Sequence, residues 1–228
     1  MSAFFVTGTD TGVGKTLMSC ALLAAARASG LSCAGFKPVA AGVDASARND
    51  DALHLQACSS LTLAYDTVNP LLLAAPLSPH IAAARERRTI DLVDLCRAVN
   101  EGIELAGADF NLVEGAGGWL VPVNGAQTMA DLAQALNLPV ILVVGLRLGC
   151  LNHALLSAQA IAASGLHFAG WIANRVDPDM EAVDENIATL VDRLEAPLLG
   201  QVDYHKLPRA EALARHFDIS ILLKSAQI

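Results

Sequence analysis

The residues Gly8-Thr9-Asp10-Thr11-Gly12-Val13-Gly14-Lys15-Thr16 have the types and spacing needed to hold a polyphosphate. Glycine-permitted turns let successive backbone N–H groups point at an anion, and a helix that follows adds its positive end. In such a loop Lys15 reaches the β and γ oxygens of a nucleotide, and the Thr16 hydroxyl sits on Mg²⁺. The apolar run from Ala3 to Val6 and the helical pattern from Leu17 to Ala28 supply the strand and helix that the motif requires. Five residues separate Gly8 from Gly14, where four is usual, so Thr9 stands in place of the first glycine. A glycine-rich turn bearing a surface lysine is the plain alternative. The Lys-Thr pair and its flanks favour chemistry on a nucleotide phosphate.

Two further stretches belong with this loop. Cys33 to Val39 reads as a strand that delivers Lys37 near its C-terminal end, where open α/β sheets place ligands. A solvated strand-end lysine is the other reading. The run Asp109 to Glu114 ends an apolar strand in a carboxylate, and Gly115-Ala116-Gly117-Gly118 follow. A strand-end carboxylate beside a phosphate loop holds Mg²⁺ directly or through water, and the glycines allow close backbone approach to an anion. An ordinary glycine-rich turn after a core strand is the competing reading.

The elements that must position these residues alternate. Asp50 and Asp51 cap a helix from about Ala52 to Ser59, and Asn69 to Pro79, with three prolines, is an irregular connection. Ser78-Pro79 starts a helix running to about Arg87, and the spacing of Leu92, Leu95, Val99 and Ile103 predicts another over Asp91 to Ala106. Thr128 to Leu136 is a capped helix, and Pro139 to Gly145 is the most buried strand. Arg147 to His153 is a loop entering the helix Leu151 to Ser164. Phe168 to Ala173 is a strand with Asn174 at its end, Met180 to Leu194 a helix, Leu198 to Val202 a strand and Ile219 to Leu223 a short final strand. Together they predict a single-domain, doubly wound α/β fold over residues 1–228, a mainly parallel sheet flanked by helices.

Composition sets outer bounds. The 228 residues suffice to bury roughly 70 to 75% of the unfolded surface around one core. Although 54% of residues are hydrophobic, no apolar run approaches a bilayer span. A net charge of -8 repels nucleic acid and anionic membrane surfaces, so the expected partners are small molecules. No export leader precedes the first strand, and the five cysteines form no C-x-x-C pair, which predicts reduced thiols in the cytoplasm.

An ordered set of short matches resembles the dethiobiotin synthetase family of the biotin pathway. It comprises Val6 to Thr11, Gly14-Lys15-Thr16, Lys37-Pro38-Val39-Ala40, Asp51-Ala52-Leu53, Val68-Asn69-Pro70, Val113 to Gly118, Gly149-Cys150, Asn152-His153 and Ala169-Gly170-Trp171. The family shares the longer phosphate loop. The resemblance implies a P-loop NTPase-like fold and an ATP-dependent ring closure of 7,8-diaminononanoate and CO2. A carbamate is phosphorylated by Mg-ATP, and the second amine closes the cyclic urea. By family position Lys15 and Lys37 are catalytic, and Thr16, Asp51 and Glu114 hold Mg²⁺. Thr11, Gly12, Val13, Gly14, Lys15, Thr16, Asp51, Glu114, Gly115, Ala116, Gly117, Asn174 and Arg175 bind nucleotide. Thr11, Lys37, Ala41, Gly117, Gly118, Cys150, Leu151 and Asn152 bind substrate. The last three act across a homodimer interface.

The sequence departs from the family at Gly12, where some relatives carry Glu, and at Ala41, where a serine commonly touches substrate. Asn186 stands near a position where relatives use tyrosine, and Asp203-Tyr204-His205 replaces a proline-containing base-pocket segment. Asn174-Arg175-Val176-Asp177 faintly resembles the guanine-reading Asn-Lys-x-Asp. A partitioning-type switch ATPase would carry a second lysine near Asp10, and an amidoligase of cofactor synthesis would need an ammonia source. The chain offers neither.

Overall fold

The computed structural model describes residues 1–206 and 208–225. Its strands are β1 (Ser2–Gly8), β2 (Cys33–Phe36), β3 (Val39–Ala41), β4 (Leu71–Leu73), β5 (Phe110–Glu114), β6 (Val140–Leu146), β7 (Phe168–Arg175) and β8 (Leu198–Val202). Its α-helices are α1 (Lys15–Ala28), α2 (Asp50–Cys58), α3 (Tyr65–Val68), α4 (Pro79–Arg85), α5 (Leu92–Ala106), α6 (Met129–Leu136), α7 (Cys150–Ala163), α8 (Val183–Arg193), α9 (Ala210–Leu213) and α10 (Ile219–Ser225).

Six strands form one sheet in the order β2-β5-β1-β6-β7-β8, every neighbouring pair parallel. Such a sheet is covered on both faces, which is why its strands read as nearly unbroken apolar runs. In β1 the side chains alternate: Phe4 and Val6 join the layer with Met18 and Leu22 of α1, whereas Phe5 joins the opposite layer with Phe36, Trp119 and Trp171. The chain winds outward to both sides of β1, and in this architecture ligands bind beyond the C-terminal ends of the strands at such a switch point.

Several boundaries differ from expectation. The strand expected over Cys33 to Val39 breaks after Phe36, because Pro38 has no N–H with which to continue the ladder. The chain resumes as β3, paired with β4 in a separate two-stranded sheet, so the stretch Asn69 to Pro79 contains a strand. Asn69 Nδ2 donates to the Lys37 carbonyl at 2.7 Å and fixes the break that carries Lys37. The expected final strand at Ile219 to Leu223 is instead helix α10. Asp218 Oδ1 accepts the Ser220 N–H at 2.9 Å, and Ile219 and Leu222, one helical turn apart, are buried. A short apolar run carries no period that separates strand from helix.

The cap of α2 is Asn49, whose Oδ1 accepts the Ala52 N–H. Asp50 and Asp51 lie inside the first turn, where their charge suits the helix dipole. Helix α8 starts at Val183 rather than Met180, after Ala182 in a left-handed conformation. The capping box of α6 is present, with Asp131 accepting from the Thr128 N–H and hydroxyl. Among the described residues no helix is long and apolar enough to cross a membrane.

Candidate active site

The phosphate loop accommodates its extra residue by turning Val13 inward. Val13 is buried, and a Cβ on either Gly8 or Gly145 would lie 2.7 Å from a Val13 methyl group. Val13 is thus wedged between the ends of β1 and β6, which requires a residue without a side chain on each. Gly14, at φ 86, opens α1 from the left-handed region. The loop is fastened to the sheet by the Thr9 N–H to Val143 O at 3.0 Å and by the Gly145 N–H to Thr9 Oγ1 at 3.3 Å.

Three side chains donate to one buried carboxylate. Glu114, fully buried at the end of β5, accepts through Oε1 from Thr16 Oγ1 at 2.8 Å and Lys37 Nζ at 2.7 Å. Its Oε2 accepts from Ser19 Oγ at 2.8 Å. Lys37 Nζ also reaches Asp51 Oδ2 at 3.0 Å and Gly115 O at 3.3 Å. Burial works against the Lys37 charge, but Glu114 and Asp51 outweigh it and hold the ammonium above the ordinary lysine range. Asp51 is likewise opposed by burial yet kept below the usual carboxylate value by Lys37 and the Thr16 hydroxyl.

Lys15 differs. Among the described residues its Nζ donates only to the Asp10 carbonyl, at 3.0 Å, and burial together with the Lys37 charge lowers its pKa to about 8. A polyanion arriving in the loop would raise that pKa again.

A cavity of about 580 Å³ opens over this cluster. At one end stand Thr11, Gly12, Gly14, Lys15, Thr16, Lys37 and Asp51, and the other wall is largely apolar, with Ala41, Pro76, Leu77, Pro79 and Val121. Ala116 and Gly117 complete the rim, Gly115 binds Lys37 beneath it, and Gly118 packs against the Gly8 carbonyl. A second cavity of about 220 Å³ lies across Gly12, lined by Asn174, Val176, Val202, Asp203, Tyr204 and His205 among others.

Asn174 and Arg175 both border the second cavity, yet their polar groups point differently. Asn174 Nδ2 donates to Val13 O at 2.8 Å, whereas the Arg175 guanidinium is bound to the carbonyls of Asp177, Pro178 and Met180. Asp177 Oδ1 accepts the Asp179 N–H at 2.9 Å, within the same loop. Cys150, Leu151 and Asn152 occupy the first turn of α7, and neither cavity includes them. Asn186 Nδ2 is bound to Ala182 O at 2.7 Å.

Ser19, Asn49 and the segment Pro76 to Pro79 were not legible as site residues. The signal for Ser19 was its place three residues after Thr16, on the same helical face. Ser19→Ala strips the buried Glu114 Oε2 of its donor, and is expected to lower stability by about 1 to 3 kcal/mol in urea denaturation.

A strand-loop-helix phosphate cradle at the switch point of a parallel sheet, with a strand-end carboxylate beneath it, defines a P-loop NTPase. The profile of a family described as an AAA domain matches residues 2–212. Among curated relatives, the ATP-dependent dethiobiotin synthetase BioD of Cellvibrio japonicus is 52% identical over 227 residues, covering 97% of each chain. That of Pseudomonas aeruginosa is 53% identical over 222 residues, covering 96% of this chain and 97% of the relative. That of Vibrio campbellii is 48% identical over 228, covering 99% and 100%. The chain belongs to the dethiobiotin synthetase family. Solved structures share the fold alone. The MinD cell division protein of Aquifex aeolicus has a TM-score of 0.56 at 15% identity, over 100% of this chain and 96% of that one. The signal recognition particle receptor FtsY of Elizabethkingia anophelis has 0.57 at 15%, over 98% and 64%.

Proposed function

We propose that this chain is an ATP-dependent dethiobiotin synthetase, a ligase that joins CO2 to 7,8-diaminononanoate and closes the cyclic urea, releasing ADP and phosphate. The observation that carries this reading is the polarity of the 580 Å³ cavity. Lys15, Lys37 and Asp51 line it with the phosphate loop, and Ala41, Pro76, Leu77, Pro79 and Val121 add aliphatic surface. A triphosphate suits the first and the hydrocarbon chain of a diamino acid the second. We read residues 1–228 as one P-loop domain.

An amine adds to CO2 to give a carbamate, whose oxygen is a poor leaving group until phosphorylated. The carbamate oxygen therefore attacks the γ-phosphorus while the bond to the bridging oxygen breaks and ADP leaves; both partners are anionic, so charge neutralisation is the main catalytic task. Lys15 and Lys37 flank the transferring group and stabilise the charge spread over its oxygens. The loop amides of Thr11 to Thr16 hold the β-phosphate. The second amine then attacks the carbonyl carbon of the carbamic-phosphoric anhydride, the C–O bond to phosphate breaks, and the amine proton is lost to solvent. Asn174 meets the base in the second cavity, and ATP is taken as the nucleotide because the relatives are named ATP-dependent.

Mg²⁺ fits the donors present. Thr16, Asp51 and Glu114 offer hard oxygens only, and among the described residues no three His, Cys, Asp or Glu side chains cluster. Few protein ligands plus substrate phosphates is the usual Mg²⁺ arrangement. When bound, the ion would supply positive charge to the phosphates.

We further propose a cytoplasmic homodimer in which Cys150 to Asn152 of each protomer serve the partner's substrate carboxylate. All five cysteines are free, in keeping with a reducing compartment. Leu148, 97% exposed, and Leu156, 56% exposed, leave apolar surface on and beside α7 for a partner to cover. Light scattering is expected to give twice the 23.7 kDa chain mass, and Leu148→Asp to shift it toward the monomer while raising KM for the diamine.

Purified protein given Mg-ATP, bicarbonate and 7,8-diaminononanoate is expected to yield the cyclic urea by mass spectrometry. ATP turnover without need of the diamine would overturn the assignment.

A further inference from the structure

Asp10 places a carboxylate inside a loop whose task is to receive a polyanion. Its Oδ1 accepts the Thr11 N–H at 2.7 Å, and its backbone carbonyl holds Lys15 Nζ at 3.0 Å. Its Oδ2 pairs with the Arg147 guanidinium, which comes from the turn after β6. The carbonyl of the same Arg147 accepts the Cys150 N–H at 2.9 Å, so this residue ties the phosphate loop to the first turn of α7.

Both side chains are nearly half exposed, at 42% for Arg147 and 47% for Asp10. An exposed pair of this kind adds little to folding stability. Its effect on the loop is larger, because a lone carboxylate there repels phosphate and competes for the Lys15 ammonium that phosphate needs.

We propose that Arg147 is a positioning residue that neutralises Asp10 and holds it turned from the anion, keeping the phosphate loop receptive to the nucleotide. The inference rests on the loop binding a nucleotide polyphosphate, as in the function proposed above. It does not depend on the identity of the amine, so ADP binding without diamine tests it separately.

The experiment measures the dissociation constant for ADP with Mg²⁺ at low ionic strength in Arg147→Ala, Arg147→Lys and the double variant Arg147→Ala/Asp10→Asn. Arg147→Ala is expected to weaken binding about tenfold, the loss shrinking as salt is added. Arg147→Lys should retain most of the affinity. Removing the stranded carboxylate in the double variant should return affinity to within about threefold of the native protein. A double variant as weak as Arg147→Ala would show that the guanidinium acts only as a structural tie. Native affinity in Arg147→Ala would show no role at all. Either result overturns the proposal. Synthesis of the cyclic urea by the native protein is a separate readout, and its failure would leave these binding results interpretable.

Discussion

Replacing Lys37 by alanine is expected to lower kcat by about 10²-fold or more while nucleotide affinity stays within a few-fold, a transition-state loss of roughly 3 kcal/mol. The reason lies in its surroundings. Lys37 is nearly completely buried, held at a strand break by Asn69, and its charge is secured by Glu114 and Asp51. It is therefore an ammonium fixed at the rim of the cavity, and its charge costs no reorganisation when the γ-phosphoryl transfers. In the mechanism proposed above, ground-state nucleotide binding rests instead on the loop amides and Lys15, which the substitution leaves in place. The variant also leaves Glu114 and Asp51 without their cation, so added Mg²⁺ should raise its Tm more than that of the native protein. Steady-state kinetics and thermal melts with and without Mg²⁺ check both halves. An unchanged kcat would remove Lys37 from the chemistry.

Glu114→Gln is expected to act on folding and on metal use together. The carboxylate is fully buried and accepts from Thr16, Ser19 and Lys37 at 2.7 to 2.8 Å. An amide cannot accept on its nitrogen, so one of these donors loses its partner, and Lys37 keeps only the half-exposed Asp51 as counter-charge. Breaking a buried pair from one side costs about 3 kcal/mol, or a fall in Tm of roughly 6 to 12 °C for a chain of this size. The Mg²⁺ concentration for half-maximal activity should rise about tenfold or more, because losing one charged oxygen weakens a site with few protein ligands. A variant with native Tm and native Mg²⁺ dependence would show that Glu114 neither supports the fold nor meets the ion.

What could be read without coordinates followed from local rules. The phosphate loop, the amphipathic period of α5, the capped start of α6 and the apolar run of β6 are each legible locally. Pro38 was legible as a proline, but the strand break it causes, and the pairing of β3 with the distant β4, depend on contacts from Leu71 to Leu73. The same holds for α10, whose apolar run becomes a helix because Asp218 caps it and α1 supplies a surface to cover. At the site, Lys15, Thr16 and Glu114 were recoverable from motif and strand end. Ser19 was not, because its hydroxyl matters only through a carboxylate 95 residues away. Nor was the pairing of Arg147 with Asp10, which requires β6 to lie beside β1.

The most direct test of the account follows the oxygen of the carbamate. The protein is mixed with Mg-ATP, 7,8-diaminononanoate and carbon dioxide carrying oxygen-18, and the phosphate is analysed by mass spectrometry before label exchanges with water. If the carbamate oxygen attacks the γ-phosphoryl and the second amine expels it, each phosphate released carries one heavy oxygen from carbon dioxide. Phosphate without label, formed beside the cyclic urea or in its absence, would mean that the carbamate is never phosphorylated and would contradict the role assigned to Lys15 and Lys37.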